Sequence, residues 1–155
     1  MKLVPNVRRF LALAPGDRRV FLQAEVLFVV IRPALRILGL RRTQELLRQI
    51  TSSWWSKVVN SETPSDARRT VAVMQMAARH TFGSPNCLPQ SLVCWALLRR
   101  RGIESELRIG TRKVGGEFEA HAWVEYQGQV LNDRSDVRER FATFDQAIDS
   151  AQRTR

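Results

Sequence analysis

Apolar residues recur at helical spacing through the first hundred positions, and then the period drops to two. RRVFLQAEVLFVVI, residues 18–31, reads as a largely buried helix with Asp17 as its N-cap. Pro33 is expected to kink or end it, with a short further turn over Pro33–Leu38 before Gly39. Thr43 is placed to cap a second helix reaching about Val59, with Leu46, Leu47, Ile50, Trp54 and Val58 near one face. SETPSD breaks the pattern. Ser65 then caps a third helix from about Asp66 to His80, and HTFGSPN is a loop. A fourth helix starts near Asn86 or Cys87 and runs to Arg101, buried through Leu88, Leu92, Trp95, Ala96 and Leu98. Arg99, Arg100 and Arg101 meet its negative end, and Gly102 closes it.

Beyond Gly102, Glu104–Ile109 alternates as a strand, RKVGGE is a loop, and Phe118–Tyr126 alternates again. Gly128 supplies a tight turn into Gln129–Leu131. Phe141, Phe144 and Ile148 predict a short final helix before a frayed tail, Ala151–Arg155. Helices, then a cysteine-bearing helix, then an antiparallel meander make an α+β plan. The expected division is a helical N-terminal segment, 1–62, packed on a core, 63–155.

With 155 residues and 44% apolar composition the chain can fill a core without disulfides. Its two cysteines, Cys87 and Cys94, argue against a secreted disulfide framework. On one helix they are separated by a rise of roughly 10 Å, too far to bridge. A reducing, cytoplasmic setting is expected. No secretory signal is evident, and the longest apolar passage, Val20–Ile31, contains Gln23 and Glu25. It falls short of the roughly 20 residues a transmembrane helix needs.

The formal net charge of +10 is uneven. Residues 1–60 hold 11 Lys/Arg against 3 Asp/Glu, and residues 61–155 hold 14 against 12. The basic segment can serve nucleic acid or an anionic membrane surface, an acidic protein partner, or simply the solvated faces of arginine-rich helices. Neither nucleic acid nor a membrane is the expected partner. No metal site is expected, because two cysteines on one helix and two distant histidines lack tetrahedral spacing. No cofactor motif is present either; Gly115-Gly116 has no phosphate-loop context.

Chemistry concentrates in an ordered trio: Cys87 in SPNCLPQS, His121 in EAHAWVEY and Asp133 in LND. Cys87 opens a helix, where unpaired N–H groups and the dipole favour a thiolate and can hold an oxyanion. The bland alternative is a small buried thiol. His121 shares its strand face with Glu119, Trp123 and Glu125 and is expected to project onto the helix start as a base. Its alternative is a half-exposed strand histidine. His80, near a helix end, is the other candidate base. Asp133 follows the next short strand, where it can orient the imidazole; Asn132 or Asp136 could take that place. Trp54 and Trp55 are expected at the core and an interface edge.

The stretch NCLPQSLVCWALLRRRGIESELRIGTRKVGGEFEAHAWVEYQGQVLND resembles the transglutaminase-like cysteine peptidases that remove leaders in lasso-peptide biosynthesis. The likeness lies in the CLxxSL helix start, the LLRRRGI helix end, ELRIGTRK, F-x-AHAWVE and LND, and more loosely in the N-terminal helices. It implies a papain-like core with the nucleophile helix packed on a small antiparallel sheet. It also implies Cys87 as nucleophile, His121 as base and Asp133 as orienting acid. The implied substrate is a ribosomally made precursor peptide, and members of the family tend to require a threonine near the leader's end. The implied partners are a separate small leader-recognition protein and an ATP-dependent cyclase. Gln90 departs from a frequent arginine, and Cys94 from a small apolar residue. Two other readings remain: an acyl or amide transferase using the same thioester, and a non-enzymatic basic adaptor.

Overall fold

A proline can open a helix because its missing N–H would find no helical partner in the first turn. The first helix with both ends described, α1, begins in that way at Pro15 and runs to Trp55 in the computed structural model, which describes residues 10–55, 63–82 and 86–143. Phe144, Ile148 and the expected tail lie outside the described residues, as do the side chains of Trp54, Trp55 and His80. Asp17 is therefore not a cap. It lies inside the first turn, and its carboxylate accepts Arg69 Nε at 2.9 Å and Nη2 at 2.7 Å from the next helix.

Nor does Pro33 end the helix. Pro33 and Val29, whose carbonyl loses its helical donor, both sit on the exposed side, so the freed carbonyl is not trapped in the core. The break falls at Gly39, at φ 74° and ψ 175°, a region only glycine enters without strain. Thr43 lies within the helical second half, its hydroxyl donating to the Gly39 carbonyl at 2.8 Å, one turn back. Helix α2 spans Pro64–Phe82, and its cap is Thr63 rather than Ser65. The Thr63 hydroxyl and N–H both donate to Asp66 Oδ2, at 2.7 and 3.1 Å. Those two bonds hold the Asp66 carboxyl below its ordinary range.

Helix α3, Cys87–Arg100, is the predicted cysteine-bearing helix. Ile103 N donates to Leu98 O and Gly102 N to Arg99 O, both at 3.0 Å, with Gly102 at φ 79°. This is a Schellman closure, and it buries Ile103.

The sheet has order β3-β2-β1-β4 and is antiparallel throughout. Strand β1, Glu106–Val114, starts two residues later and runs further than expected. It pairs with β2, Glu117–Tyr126, from Glu106↔Glu125 to Val114↔Glu117. Arg112, Lys113 and Val114 thus belong to the ladder, and the expected six-residue loop shrinks to Gly115-Gly116, at φ 59° and 96°. Two left-handed residues give a turn whose twist matches that of the strands. A similar turn at Gln127-Gly128 leads into β3, Gln129–Val130. A four-residue helix, α4, Val137–Arg140, precedes β4, Ala142–Thr143, which pairs with β1 at Gly110 and Thr111. Phe141 therefore leads into a strand instead of a helix.

The fold is α+β. Helices α1, α2 and α3 pack together, and α3 in turn packs on one sheet face, around Phe28, Ile31, Met74, Leu92, Leu98 and Val124. The other sheet face carries a smaller cluster of Trp123, Val137 and Phe141. No helix among the described residues is long and apolar enough to cross a membrane.

Candidate active site

The site grows from the start of α3. Asn86 holds extended backbone at φ −90° and ψ 104°, and helical geometry begins with Cys87. Pro89 fits because it lies in the first turn, where no i−4 carbonyl awaits its nitrogen. Asn86 contributes no side-chain cap, so its amide does not take up the first-turn N–H groups. Those groups carry the positive end of the helix dipole, which favours an anionic sulfur or oxygen beside them. Cys87 is half-buried, and Cys94, two turns on, is fully enclosed; both are free thiols. Burial pushes the Cys94 thiol far up, so it stays protonated and unreactive.

His121 comes from β2, opposite Gly110. It shares its sheet face with Trp123, as the alternation predicts, while Ala122 and Val124 point into the helical layer. The imidazole sits on the sheet face of Trp123 and Phe141, not on the face that α3 covers, so the expected projection of His121 onto the helix start is not what the strand alternation gives. It stacks on Phe141, at 4.8 Å between centroids and 25° between planes, so the ring's plane is set by packing. Gly110 makes room for this arrangement: a Cβ there would lie 2.9 Å from both the Trp123 ring and the Ala142 carbonyl.

The ring's Nε2 meets Asp133 Oδ2. The other carboxylate oxygen accepts Arg134 N–H at 2.6 Å and lies 3.6 Å from Arg140 Nη2. An ionised carboxylate only accepts, so the neutral imidazole carries its proton on Nε2 and its lone pair on Nδ1. The nitrogen turned away from Asp133 is then the basic one. Asn132 and Asp136 are engaged elsewhere. The Asn132 amide bonds Val124 N–H at 2.7 Å and Ser91 Oγ at 2.9 Å, and Asp136 pairs with Arg134 at 3.2 Å and Arg140 at 3.3 Å. The structure thus joins His121 directly to Asp133. It brings the Cys87 helix to the same strand through Ser91 Oγ, which donates to the Ala122 carbonyl at 2.9 Å, one residue from His121.

Two groups in this region carry no signal in the trio. Ser91 is wholly buried, and a hydroxyl amid LPQSLVCW was the available clue. Glu125 is also buried; it accepts Trp123 Nε1 at 2.7 Å and pairs with Arg138 and Arg108. Burial alone would raise its pKa, but the Arg138 and Trp123 bonds outweigh it and hold the carboxyl below its ordinary range. A cavity of about 390 Å³ opens beside it, lined by Arg108, Arg138, Phe141, Ala142 and Thr143.

The sequence profile of the transglutaminase-like superfamily matches residues 27–145. The microcin J25-processing protein McjB of Escherichia coli is 37% identical to this chain over 77 residues, 50% of this chain and 36% of McjB. The aligned part therefore spans little more than a third of that relative's length. No solved structure gives a significant match.

Proposed function

Because the chain belongs to the transglutaminase-like superfamily, we propose that it is a cysteine peptidase that removes the leader from a ribosomally made precursor peptide during lasso-peptide maturation. The observation that carries this reading is the His121–Asp133 bond beside a helix that begins at a half-buried cysteine. The partial identity to a microcin-processing protein supports the substrate class.

In the proposed cycle His121 Nδ1 takes the proton of Cys87, and the thiolate attacks the carbonyl carbon at the leader's end. The oxyanion of the tetrahedral intermediate is held by first-turn N–H groups of α3. Collapse breaks the C–N bond, and His121 returns its proton to the departing core amine. The leader stays on Cys87 as a thioester. A water then gives its proton to Nδ1 and attacks the thioester carbonyl, releasing the leader acid and the Cys87 thiol. Asp133 holds the ring's tautomer and stabilises the imidazolium that forms.

Leader binding is assigned to a separate small recognition protein, with the basic segment 1–62 as its seat, and the freed amine is passed to an ATP-dependent cyclase. Two free thiols support a reducing, cytoplasmic setting. The same thioester could instead pass to an amine, which would make the protein an acyl transferase. Product mass separates the two: hydrolysis leaves a carboxylic acid at the cut, and transfer leaves an amide. The reading predicts that purified, folded Cys87→Ala protein leaves the precursor intact. Cleavage retained by that variant would refute it.

A further inference from the structure

Three short segments must keep register for the proposed site to work: the first two turns of α3, the middle of β2 and the turn after β3. One polar network, buried at Ser91 and half-buried at Asn132, touches all three. Ser91 lies four residues after Cys87, on the same helix face and about 6 Å along the axis. Its hydroxyl is fully buried and donates to the Ala122 carbonyl at 2.9 Å, next to His121. A carbonyl cannot donate, so Ser91 uses its single proton there and must accept from Asn132 Nδ2, at 2.9 Å. That choice fixes the Asn132 amide, whose Oδ1 then accepts Val124 N–H at 2.7 Å. Asn132 immediately precedes Asp133.

The network also stands in for missing strand. β3 pairs with β2 only at Glu125 and Tyr126, and Leu131 N reaches Val124 O at 2.9 Å. The next groups along that edge, Val124 N–H and Ala122 C=O, are met by the side chains of Asn132 and Ser91. The ladder is thus continued by two side chains, and the helix that begins at Cys87 supplies one of them.

We propose that Ser91 and Asn132 are positioning residues that set the approach of Cys87 to the His121–Asp133 pair. This rests on the nucleophile reading above. Neither residue need touch substrate; each acts through the neighbour it holds.

The test is the pH dependence of Cys87 alkylation by iodoacetamide in the full chain, read by peptide mass. Wild type is expected to be alkylated readily at neutral pH in a step that depends on His121 and is absent in His121→Ala. Ser91→Ala and Asn132→Ala should keep a cooperative melt yet lose the neutral-pH rate by ~10-fold or more, since misplacement by about 1 Å costs up to ~100-fold. The double variant should be no slower than the worse single one, because both substitutions break one linkage. Should Asn132→Ala lose its fold, Asn132→Asp keeps the acceptor for Val124, removes the donor to Ser91 and is read in the same way. Folded variants with the wild-type profile overturn the positioning role alone. A wild type without a His121-dependent step overturns the nucleophile reading and this inference with it.

Discussion

Helices α1 and α3 are both rich in aliphatic residues, yet they spend them differently. From Ser91 to Leu98 every residue of α3 is buried, because α1 and α2 cover one side and the sheet the other. Helix α1 buries Val20, Ala24, Phe28 and Ile31 along one stripe and leaves Val26, Val29 and Ile37 at 63%, 65% and 78% exposure. Local hydrophobicity therefore does not decide burial; the number of layers around an element does. The difference extends to polar groups. In α1 the enclosed hydroxyls, Thr43 and Thr51, both bond back to their own helix, with Thr51 also met by Arg99 Nε of α3 at 3.4 Å, whereas in α3 the one buried hydroxyl ties the helix to β2 and to the turn that holds Asp133. The candidate site lies where enclosed polar groups reach across to other elements, and the charge excess lies elsewhere.

The largest break in this contrast is expected at the site itself. Asp133→Asn keeps the shape but lets the side chain present an N–H to the imidazole, favouring the wrong tautomer. Cleavage of the precursor should fall by roughly three to four orders of magnitude with little change in melting temperature. A loss under ten-fold would show that His121 does not depend on this carboxylate.

Packing comes next. Leu92→Ala, in the enclosed helix, should cost about 2–5 kcal/mol in urea unfolding. A smaller effect follows from Glu125. Its carboxyl is held below its ordinary value of 4.5, so it stabilises the fold above that pH. The contribution disappears as pH falls through the lower folded value. Melting temperature should therefore drop more steeply below about pH 4.5 in wild type than in Glu125→Gln, and parallel curves would argue that Arg108 and Arg138 contribute nothing to its ionisation. The smallest effect belongs to the exposed stripe, where Val26→Lys should stay within about 0.5 kcal/mol of wild type. A loss of several kcal/mol there would mean that the stripe is covered in solution and that the contrast between the helices fails.

The elements that chain pattern located well are those whose faces are set by cover on both sides. Helix α3 falls within a residue of expectation for that reason, and so does β2, whose Ala122–Glu125 are buried although its first four residues are exposed. The failures have physical causes as well. Pro33 obeys its local rule only where the orphaned carbonyl would be buried, and here it is exposed. Asp17 is drawn from capping into a pair with Arg69, a partner 52 positions away. Arg112, Lys113 and Val114 are strand residues without alternation, because the far end of the β1–β2 hairpin has no covered face to impose it. Helix α4 and strand β4 are too short to have a period and exist through Trp123, Phe141 and the pairing with β1. At the site, residue types suffice to nominate Cys87, His121 and Asp133. They cannot distinguish Asn132, Asp133 and Asp136, because that depends on which neighbour each side chain turns to meet.

The proposed cycle passes through a covalent bond between the leader and Cys87. Acid-quenched mass analysis of wild-type protein, mixed with precursor and its recognition partner, reads that bond directly. The expected result is a transient adduct on the Cys87 peptide equal to the leader mass less one water, absent in Cys87→Ala together with cleavage. Leader release at full rate with no adduct, in a variant that lacks the sulfur, would contradict it.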